Sequence, residues 1–108
     1  MSAQVVLTDG AARDLDELYA AAYDGGGSTQ ADLFLDRIQD VLARLEAMPD
    51  LGRAVPELRR LGLANARQHR DGDLRMLFRR HADSVVVVAI APVERSWQAL
   101  LHRRLLDS

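Results

Sequence analysis

The stretch "LRMLFRRHADSVVVVAIA" (74–91) contains two segments of strand length joined by a short turn, "HAD". In the first segment apolar and charged residues alternate, which is typical of a β-strand with one face in the core. The second segment is an unbroken apolar run from Val85 to Ala91, which indicates a strand buried on both faces. We therefore expect two neighbouring antiparallel strands of a sheet.

The alternation in the first of these strands assigns its side chains to two faces of the sheet. Leu74, Met76 and Phe78 share one face, which we expect to pack against helices. Arg75 and Arg79 then project from the opposite face, which is only partly covered in the predicted arrangement. We therefore expect Arg75 to contribute to function but not to folding.

A third strand is expected at "ANARQH" (64–69), joined to the next strand by the turn "RDGD". A two-residue turn at Asp71-Gly72 would place Arg67 and His69 beside Met76 in the core. Burial without a partner would cost roughly 2–7 kcal/mol for each polar group. A loop of odd length avoids this burial. We therefore expect four basic side chains on the partly covered face: Arg67, His69, Arg75 and Arg79.

The first half of the chain predicts one strand and two helices. The segment "QVVLT" (4–8) is short, apolar and β-branched, and it predicts an N-terminal strand. Helical spacing predicts a first helix over 11–24, which the glycines of "GGGS" (25–28) end. A second helix ends at Pro49. Its apolar positions are Ala31, Phe34, Leu35, Ile38, Val41, Leu42, Leu45 and Met48. We expect the two helices to form an antiparallel hairpin with one apolar face.

After Pro92 the chain returns to helical spacing, which predicts a short C-terminal helix. The apolar side chains of this helix are Trp97, Leu100, Leu101 and Leu105. The complete order is strand, helix, helix, three antiparallel strands and helix. It predicts a single α+β domain over residues 1–108, in which the helical hairpin packs on one face of a small antiparallel sheet.

The composition excludes several classes of site and protein. The 108 residues contain no cysteine, so disulfides and thiolate metal sites are impossible, and the three histidines lack the spacing of metal ligands. No apolar run approaches the ~20 residues needed to span a bilayer, and no basic segment precedes an apolar one at the N-terminus. We therefore expect a cytoplasmic protein without a bound metal or cofactor and without a membrane partner.

The formal net charge of −2 conceals an asymmetry between the two halves of the chain. Residues 1–52 contain 10 acidic residues and 3 arginines, giving −7, whereas residues 53–108 contain 6 acidic residues and 11 arginines, giving +5. A basic half can bind a nucleic acid or an acidic protein surface, although charged residues also simply solvate a surface.

The segment "LGRAVPELRR" (51–60) follows the second predicted helix and crosses towards the sheet. Its proline and glycine turn the chain, and its apolar residues would hold it against the hydrophobic edge of the sheet. These tethering residues are Val55, Pro56 and Leu58. Arg53 and Glu57 are expected to form a local pair or to contact a partner.

Several segments together resemble the RelE/ParE family of bacterial toxins. They are "FLDRIQDVLARLEAMPDLG" (34–52), "GRAVPEL" (52–58), "GDLRMLFR" (72–79) and the valine-rich strand that follows. The resemblance covers nearly the whole chain, and it implies a type II toxin–antitoxin module. In such a module an antitoxin encoded nearby wraps the toxin with an extended segment. RelE-like members cut mRNA on the ribosome, and ParE-like members poison DNA gyrase.

The two branches make different demands on the basic residues. The RelE-like nucleases resemble this chain at Arg75 and, on the preceding strand, at Arg67, while His69 is a further candidate for proton transfer. The tail contains Arg95 but no tyrosine, and His102 lies farther along than the matching position. The acid–base pair needed for attack by a 2′-hydroxyl is therefore incomplete. A sequence pI of about 5.9 is also low for a ribosome-binding protein.

The resemblance therefore favours a ParE-like inhibitor of DNA gyrase. A RelE-like ribosome-dependent endoribonuclease and a degenerate, non-toxic member are the alternatives. Trp97 would anchor a target-binding surface with arginines around it, unless it serves to cover the sheet. The residues predicted to bind the target are Arg75, Arg79, Arg95, Trp97, Arg103 and Arg104.

Overall fold

The computed structural model describes the backbone of residues 3–107 and the side chains of residues 3–104. Leu105, predicted to lie on the apolar side of the last helix, has a side chain outside the described residues. The elements in chain order are β1 (Gln4–Leu7), α1 (Asp9–Ala47), β2 (Arg53–Ala54), a 3₁₀ helix (Pro56–Leu61), β3 (Arg67–Asp71), β4 (Leu74–His81), β5 (Ser84–Pro92) and α2 (Trp97–Asp107). The predicted α+β class is confirmed.

The strands form one five-stranded sheet in the order β1-β5-β4-β3-β2. β1 runs parallel to β5, and the other neighbouring strands are antiparallel. The sheet is therefore mixed, and the prediction of an antiparallel sheet is wrong at this edge. No hairpin turn fixes the direction of β1 relative to β5, because α1, β2, the 3₁₀ helix, β3 and β4 lie between them in the chain.

Helix α1 is one helical stretch of 39 residues whose backbone leaves helical values at Gly26 and Gly27. A straight helix of this length would measure about 58 Å, whereas the longest dimension of the molecule is 38 Å. α1 is therefore bent, and the bend lies at the glycines that were predicted to end the first helix. Thr8 caps the N-terminus of α1, since its side chain accepts a hydrogen bond from the Ala11 N–H at 3.1 Å. The antiparallel packing of the two arms as a hairpin stays a prediction.

The larger hydrophobic core lies between α1 and one face of the sheet. β4 contributes Leu74, Met76 and Phe78, as its alternation predicted, and β5 contributes Val85 and Val87. Both arms of α1 take part in this core. Their buried residues are Ala11, Phe34, Ile38, Val41 and Leu45.

A second core closes the opposite face of the sheet, beneath α2 and the 3₁₀ helix. The face that was predicted to be only partly covered is therefore covered by two short elements together. Val55 and Leu58 are the buried tethers expected of the crossing segment, whereas Pro56 is exposed. Helix α2 contributes Trp97, Leu100 and Leu101.

A two-residue turn, Gly72 and Asp73, joins β3 to β4, because Asp71 pairs with Leu74. Gly72 has a φ of +59°, a conformation that favours glycine. Arg37 of α1 holds the turn on both sides. Its Nε donates to Asp71 Oδ2 at 3.2 Å, and its Nη2 donates to Asp71 O at 2.8 Å and to Asp73 Oδ1 at 2.9 Å. The hydrogen bond from Arg37 lowers the pKa of Asp73 below its ordinary value of 3.8, and it raises the pKa of the guanidinium.

This turn sets a register that overturns the prediction of an odd-length loop. His69 pairs with Met76 and Arg67 pairs with Phe78, so both basic residues share the face of the α1 core. The basic side chains predicted to gather on one face are therefore divided between two. Arg75 and Arg79 remain on the α2 face, without Arg67 and His69.

Candidate functional site

Arg75 lies on the α2 face of β4, against the ring of Trp97. Its Cζ is 4.6 Å from the centroid of that ring, which is within the range of a cation–π contact. Nη1 donates to Gln68 Oε1 at 3.2 Å, and Nη2 donates to the main-chain carbonyl of Arg95. Nε is buried and has no partner among the described residues. Arg75 therefore holds the start of α2 to the sheet, which replaces the expectation that it has no part in folding.

Gln68 belongs to the same cluster and was not among the predicted site residues. Its Oε1 accepts from Trp97 Nε1 at 2.8 Å as well as from Arg75. Gln68 reaches the α2 face because it pairs with Leu77 across β3 and β4. Gln68 was missed because the predicted register of β3 was wrong. An odd-length loop would turn Gln68 towards α1. Trp97 is 5% exposed, so its ring is part of the second core.

Arg67 and His69, the other candidates for catalysis, do not join this cluster through hydrogen bonds. Arg67 Nη2 donates to the carbonyl of Gly52 at 2.6 Å, and its Nε donates to that of Leu51 at 3.4 Å. These bonds offset the cost of burying the guanidinium, on which the prediction of an odd-length loop rested. His69 Nε2 is shielded from solvent and has no partner in the described part of the chain. His69 and Arg75 both line one cleft at this edge of the sheet, but His69 Nε2 is shielded from solvent and Arg67 does not line that cleft.

The remaining arginines predicted to bind the target differ in exposure. Arg95 and Arg103 are exposed, and Arg79 is half-buried in β4. The backbone of Arg95 is held at two points, because its N–H donates to Pro92 O at 3.0 Å and its carbonyl accepts from Arg75. The Arg95 side chain is therefore presented to solvent from a fixed backbone.

Arg104 lies within the fold and joins α2 to α1 and β5. Its Nη2 donates to Asp14 Oδ2 and to Gly10 O, the latter at 3.2 Å, and its Nη1 donates to Val88 O at 2.5 Å. Asp14 is 8% exposed and also accepts from the Ile90 N–H at 2.9 Å. This carboxylate takes the place of a strand neighbour, because β1 does not extend this far along β5. The structure therefore places Arg104 in the scaffold.

Two clefts with basic borders open near these residues. The sheet cleft, of about 350 Å³, lies beside Arg75 and is bordered by Arg53 and Arg70. Within the described residues no ion pair joins Arg53 to Glu57, so the predicted local pair is not formed. The helix cleft, of about 550 Å³, is bordered by residues of α1 and α2 and by the turn before α2. Its exposed arginines are Arg13, Arg95 and Arg103.

The described residues contain neither a metal-binding cluster nor a membrane-spanning helix. Among the side chains of residues 3–104, no group of three or more histidine, aspartate or glutamate residues is arranged to hold a metal ion. Between residues 3 and 107, no helix is both long enough and apolar enough to cross a membrane.

A family model described as "ParE toxin of type II toxin-antitoxin system, parDE" matches residues 5–97. The chain belongs to this ParE family. The match runs from β1 to the first residue of α2, so it includes the strands that carry Gln68 and Arg75. The resemblance to RelE/ParE toxins, drawn from "GRAVPEL" and "GDLRMLFR", is thereby confirmed.

A named relative of this ParE-family chain is Toxin ParE1 of Mycobacterium tuberculosis. It is 36% identical over 59 residues, which cover 55% of this chain and 60% of the relative. The same figures hold for Toxin ParE1 from a second strain of that organism. The matched region thus spans less than two thirds of the relative's length.

Two solved structures share the fold of this ParE-family chain. A chain from the chromosomal ParDE system of P. aeruginosa superposes with a TM-score of 0.68 at 20% identity, covering 86% of this chain and 98% of that one. A chain from the toxin–antitoxin complex RelBE2 of Mycobacterium tuberculosis gives a TM-score of 0.62 at 21% identity, covering 85% and 99%. At these identities the likeness concerns the fold alone.

Proposed function

We propose that this ParE-family chain is the toxin of a type II toxin–antitoxin module and that it acts by inhibiting DNA gyrase. The family match over residues 5–97 carries the toxin assignment. The similarity to Toxin ParE1 points in the same direction. DNA gyrase acts on DNA in the bacterial cytoplasm, so we place the protein there.

The state of the candidate catalytic side chains favours binding over RNA cleavage. A general base must lie within hydrogen-bond reach of the proton that it removes. His69 Nε2 is shielded from solvent, and Arg67 is engaged with two main-chain carbonyls. A binding inhibitor has no such requirement, because it needs only a surface that complements its target.

The proposed target surface combines exposed arginines with a buried support. Arg95 and Arg103 are exposed and would contact the target, and Arg79, which is half-buried in β4, is a further candidate. Arg75 and Trp97 would act indirectly, because their contact holds the start of α2 on the sheet. This division of roles assigns target binding to the exposed arginines and orientation to the pair formed by Arg75 and Trp97.

A cognate antitoxin, encoded by an adjacent gene, is the second proposed partner. The solved structures with this fold come from a ParDE system and from a RelBE2 toxin–antitoxin complex. Tyr23 and Leu33 are both 52% exposed near the bend of α1, although both are large and hydrophobic. Leu33 borders a groove of about 450 Å³ together with Leu18 and Phe34. An antitoxin segment with an apolar face would cover this region.

Controlled expression in a bacterial host tests the toxin assignment. Expression of this chain alone should arrest growth, and coexpression of the adjacent short reading frame should restore it. Cells that express the double variant Arg95→Gln/Arg103→Gln should grow normally, although the variant remains folded. The matched control Arg59→Gln/Arg60→Gln changes two exposed arginines of the 3₁₀ helix and should still arrest growth. Normal growth of cells that contain soluble wild-type protein would contradict the assignment and favour a degenerate, non-toxic member.

The sheet cleft is the observation that favours the alternative, a RelE-like ribosome-dependent endoribonuclease. Arg53, Arg70 and Arg75 border this cleft, and guanidinium groups bind phosphate through paired hydrogen bonds. This alternative predicts cleavage of mRNA on ribosomes. It also predicts that Arg70→Gln, which changes an exposed side chain, weakens the cleavage.

A further inference from the structure

We propose that the helix cleft binds an acidic peptide segment of a protein partner. The cleft is distinct from the sheet cleft, and it brings together the first turns of α1, the turn before α2 and α2 itself. The inference rests on the proposed function, because Arg95 and Arg103 at the rim of this cleft are the residues proposed to contact the target. The acidic segment is therefore one of the target protein.

The rim of the helix cleft carries an excess of positive charge. Arg13, Arg95 and Arg103 are exposed at this rim. Among the side chains of residues 3–104, none of the three makes an ion pair within 4.0 Å. Glu17 is the exposed carboxylate that borders the same cleft. Three positive charges and one negative charge leave the rim at +2, so an anionic ligand complements it.

The charged side chains on the floor of the cleft already have partners within the fold. Asp14 and Arg104 form an ion pair there, and Nη1 and Nη2 of Arg104 also donate to the main-chain carbonyls of Val88 and Gly10. A Cβ on Gly10 would lie 3.0 Å from the Arg104 guanidinium, so glycine leaves the space that this arginine occupies. Leu100 adds an apolar side chain at 8% exposure. A ligand with carboxylates on either side of an apolar residue would therefore match both the rim and the floor.

The surroundings of the cleft favour a peptide over a nucleic acid. Asp9 and Asp16 are exposed on the same turns of α1 that carry Arg13. A duplex crossing the cleft would bring further phosphates towards these carboxylates, and nucleic-acid affinity depends on many such phosphate contacts. A short peptide can place its carboxylates at the arginines and avoid the flanking acidic groups. Opposite charges across a protein interface also accelerate and orient association.

Fluorescence anisotropy with three labelled probes tests this proposal on the complete chain. The probes are a peptide of alternating glutamate and leucine, the same peptide with glutamine in place of glutamate, and a DNA duplex of mixed sequence. The glutamate peptide should bind, and it should bind more weakly at about 200 mM than at about 50 mM salt because the contacts are exposed ion pairs. The glutamine peptide should bind at least about fivefold more weakly than the glutamate peptide.

Two charge-matched variants locate the binding site. Arg13→Gln/Arg103→Gln should weaken binding of the glutamate peptide by about fivefold, because two exposed ion pairs are lost. Arg59→Gln/Arg60→Gln makes the same change of charge on the 3₁₀ helix and should alter binding by less than about twofold. Urea unfolding should give the same midpoint for both variants and the wild type.

Three outcomes would overturn the proposal: no binding of the glutamate peptide, equal weakening by both variants, or tighter binding of the duplex through the cleft arginines. Growth arrest by the wild-type chain is a separate measurement. Failure of the peptide assay with arrest intact would remove the cleft proposal and leave the proposed function standing.

Discussion

Replacing Asp14 by alanine removes the carboxylate that joins α1, β5 and α2. The Ile90 N–H would lose this acceptor, and Arg104 would keep only its bonds to the carbonyls of Gly10 and Val88. A hydrogen bond to a charged group contributes about 1.5–3 kcal/mol, and removing one partner of a buried ion pair costs about 3–5 kcal/mol. The two losses cannot simply be added, because both interactions belong to the same carboxylate. The Arg104 side chain is also 22% exposed, which weakens the ion pair. We therefore expect the free energy of unfolding to fall by about 3 kcal/mol, at the lower end of the range.

Urea unfolding followed by circular dichroism measures this loss directly. About 3 kcal/mol is a large part of the roughly 5–15 kcal/mol that stabilises a small domain, and the thermal midpoint should fall by at least about 10 °C. Asp16→Ala is the matched control, because it removes an exposed carboxylate from the same helix and should change stability by no more than about 0.5 kcal/mol. Equal midpoints for Asp14→Ala and Asp16→Ala would refute the reasoning.

The other stability predictions concern the α2 face, the α1 core and the turn at Arg37. Arg75→Ala should lower the free energy of unfolding by about 1–3 kcal/mol, since a cation–π contact and hydrogen bonds are lost. An unchanged urea midpoint would show that Arg75 does not support the fold. Ile38→Ala should cost about 2–5 kcal/mol, and Leu42→Ala should cost less because Leu42 is only partly buried. Equal losses in urea unfolding would contradict this difference. Asp73→Asn should be less stable than the wild type at neutral pH, because Arg37 lowers the pKa of Asp73. The stabilisation of the folded state by the ionised Asp73 carboxylate is present above the ordinary pKa of 3.8. It is lost as the pH falls through the lower pKa of the folded state. The gap between the two urea midpoints should therefore close by about pH 2, and a constant gap would contradict it.

The existence and the buried faces of β4 and β5 could be predicted from sequence because they depend on local patterns. The alternation through Leu74, Met76 and Phe78 shows directly which face of β4 is buried. The unbroken run of β5 shows burial on both faces, and the structure has a core on each side. The interruption at the glycines was also predicted, although as the end of one helix rather than as a bend within α1, because consecutive glycines weaken a helix.

The register of β3 could not be predicted, because it depends on partners far away in the chain. Arg37 holds the turn through Asp71 and Asp73, which lie 34 and 36 residues later. The burial of Arg67 is tolerated because main-chain carbonyls at Leu51 and Gly52 accept its donors. A local pattern shows the cost of burying a guanidinium but not the carbonyls that offset it.

Gln68 and Asp14 were missed for the same reason. Each is a polar residue in a mixed segment, where a solvated position is the ordinary expectation. Their partners lie far along the chain, with Trp97 29 residues from Gln68 and Ile90 76 residues from Asp14. A buried polar residue with a distant partner leaves no periodic signal in the sequence.

The most direct test of the central claim compares the two possible targets with the same purified protein. In one reaction the protein is incubated with DNA gyrase and plasmid, and in the other with translating ribosomes and mRNA. We predict that supercoiling is inhibited or linear plasmid accumulates, that the mRNA stays intact, and that Arg95→Gln/Arg103→Gln loses the effect while Arg59→Gln/Arg60→Gln keeps it. Cleavage of mRNA in phase with its codons, with gyrase unaffected, would contradict the account.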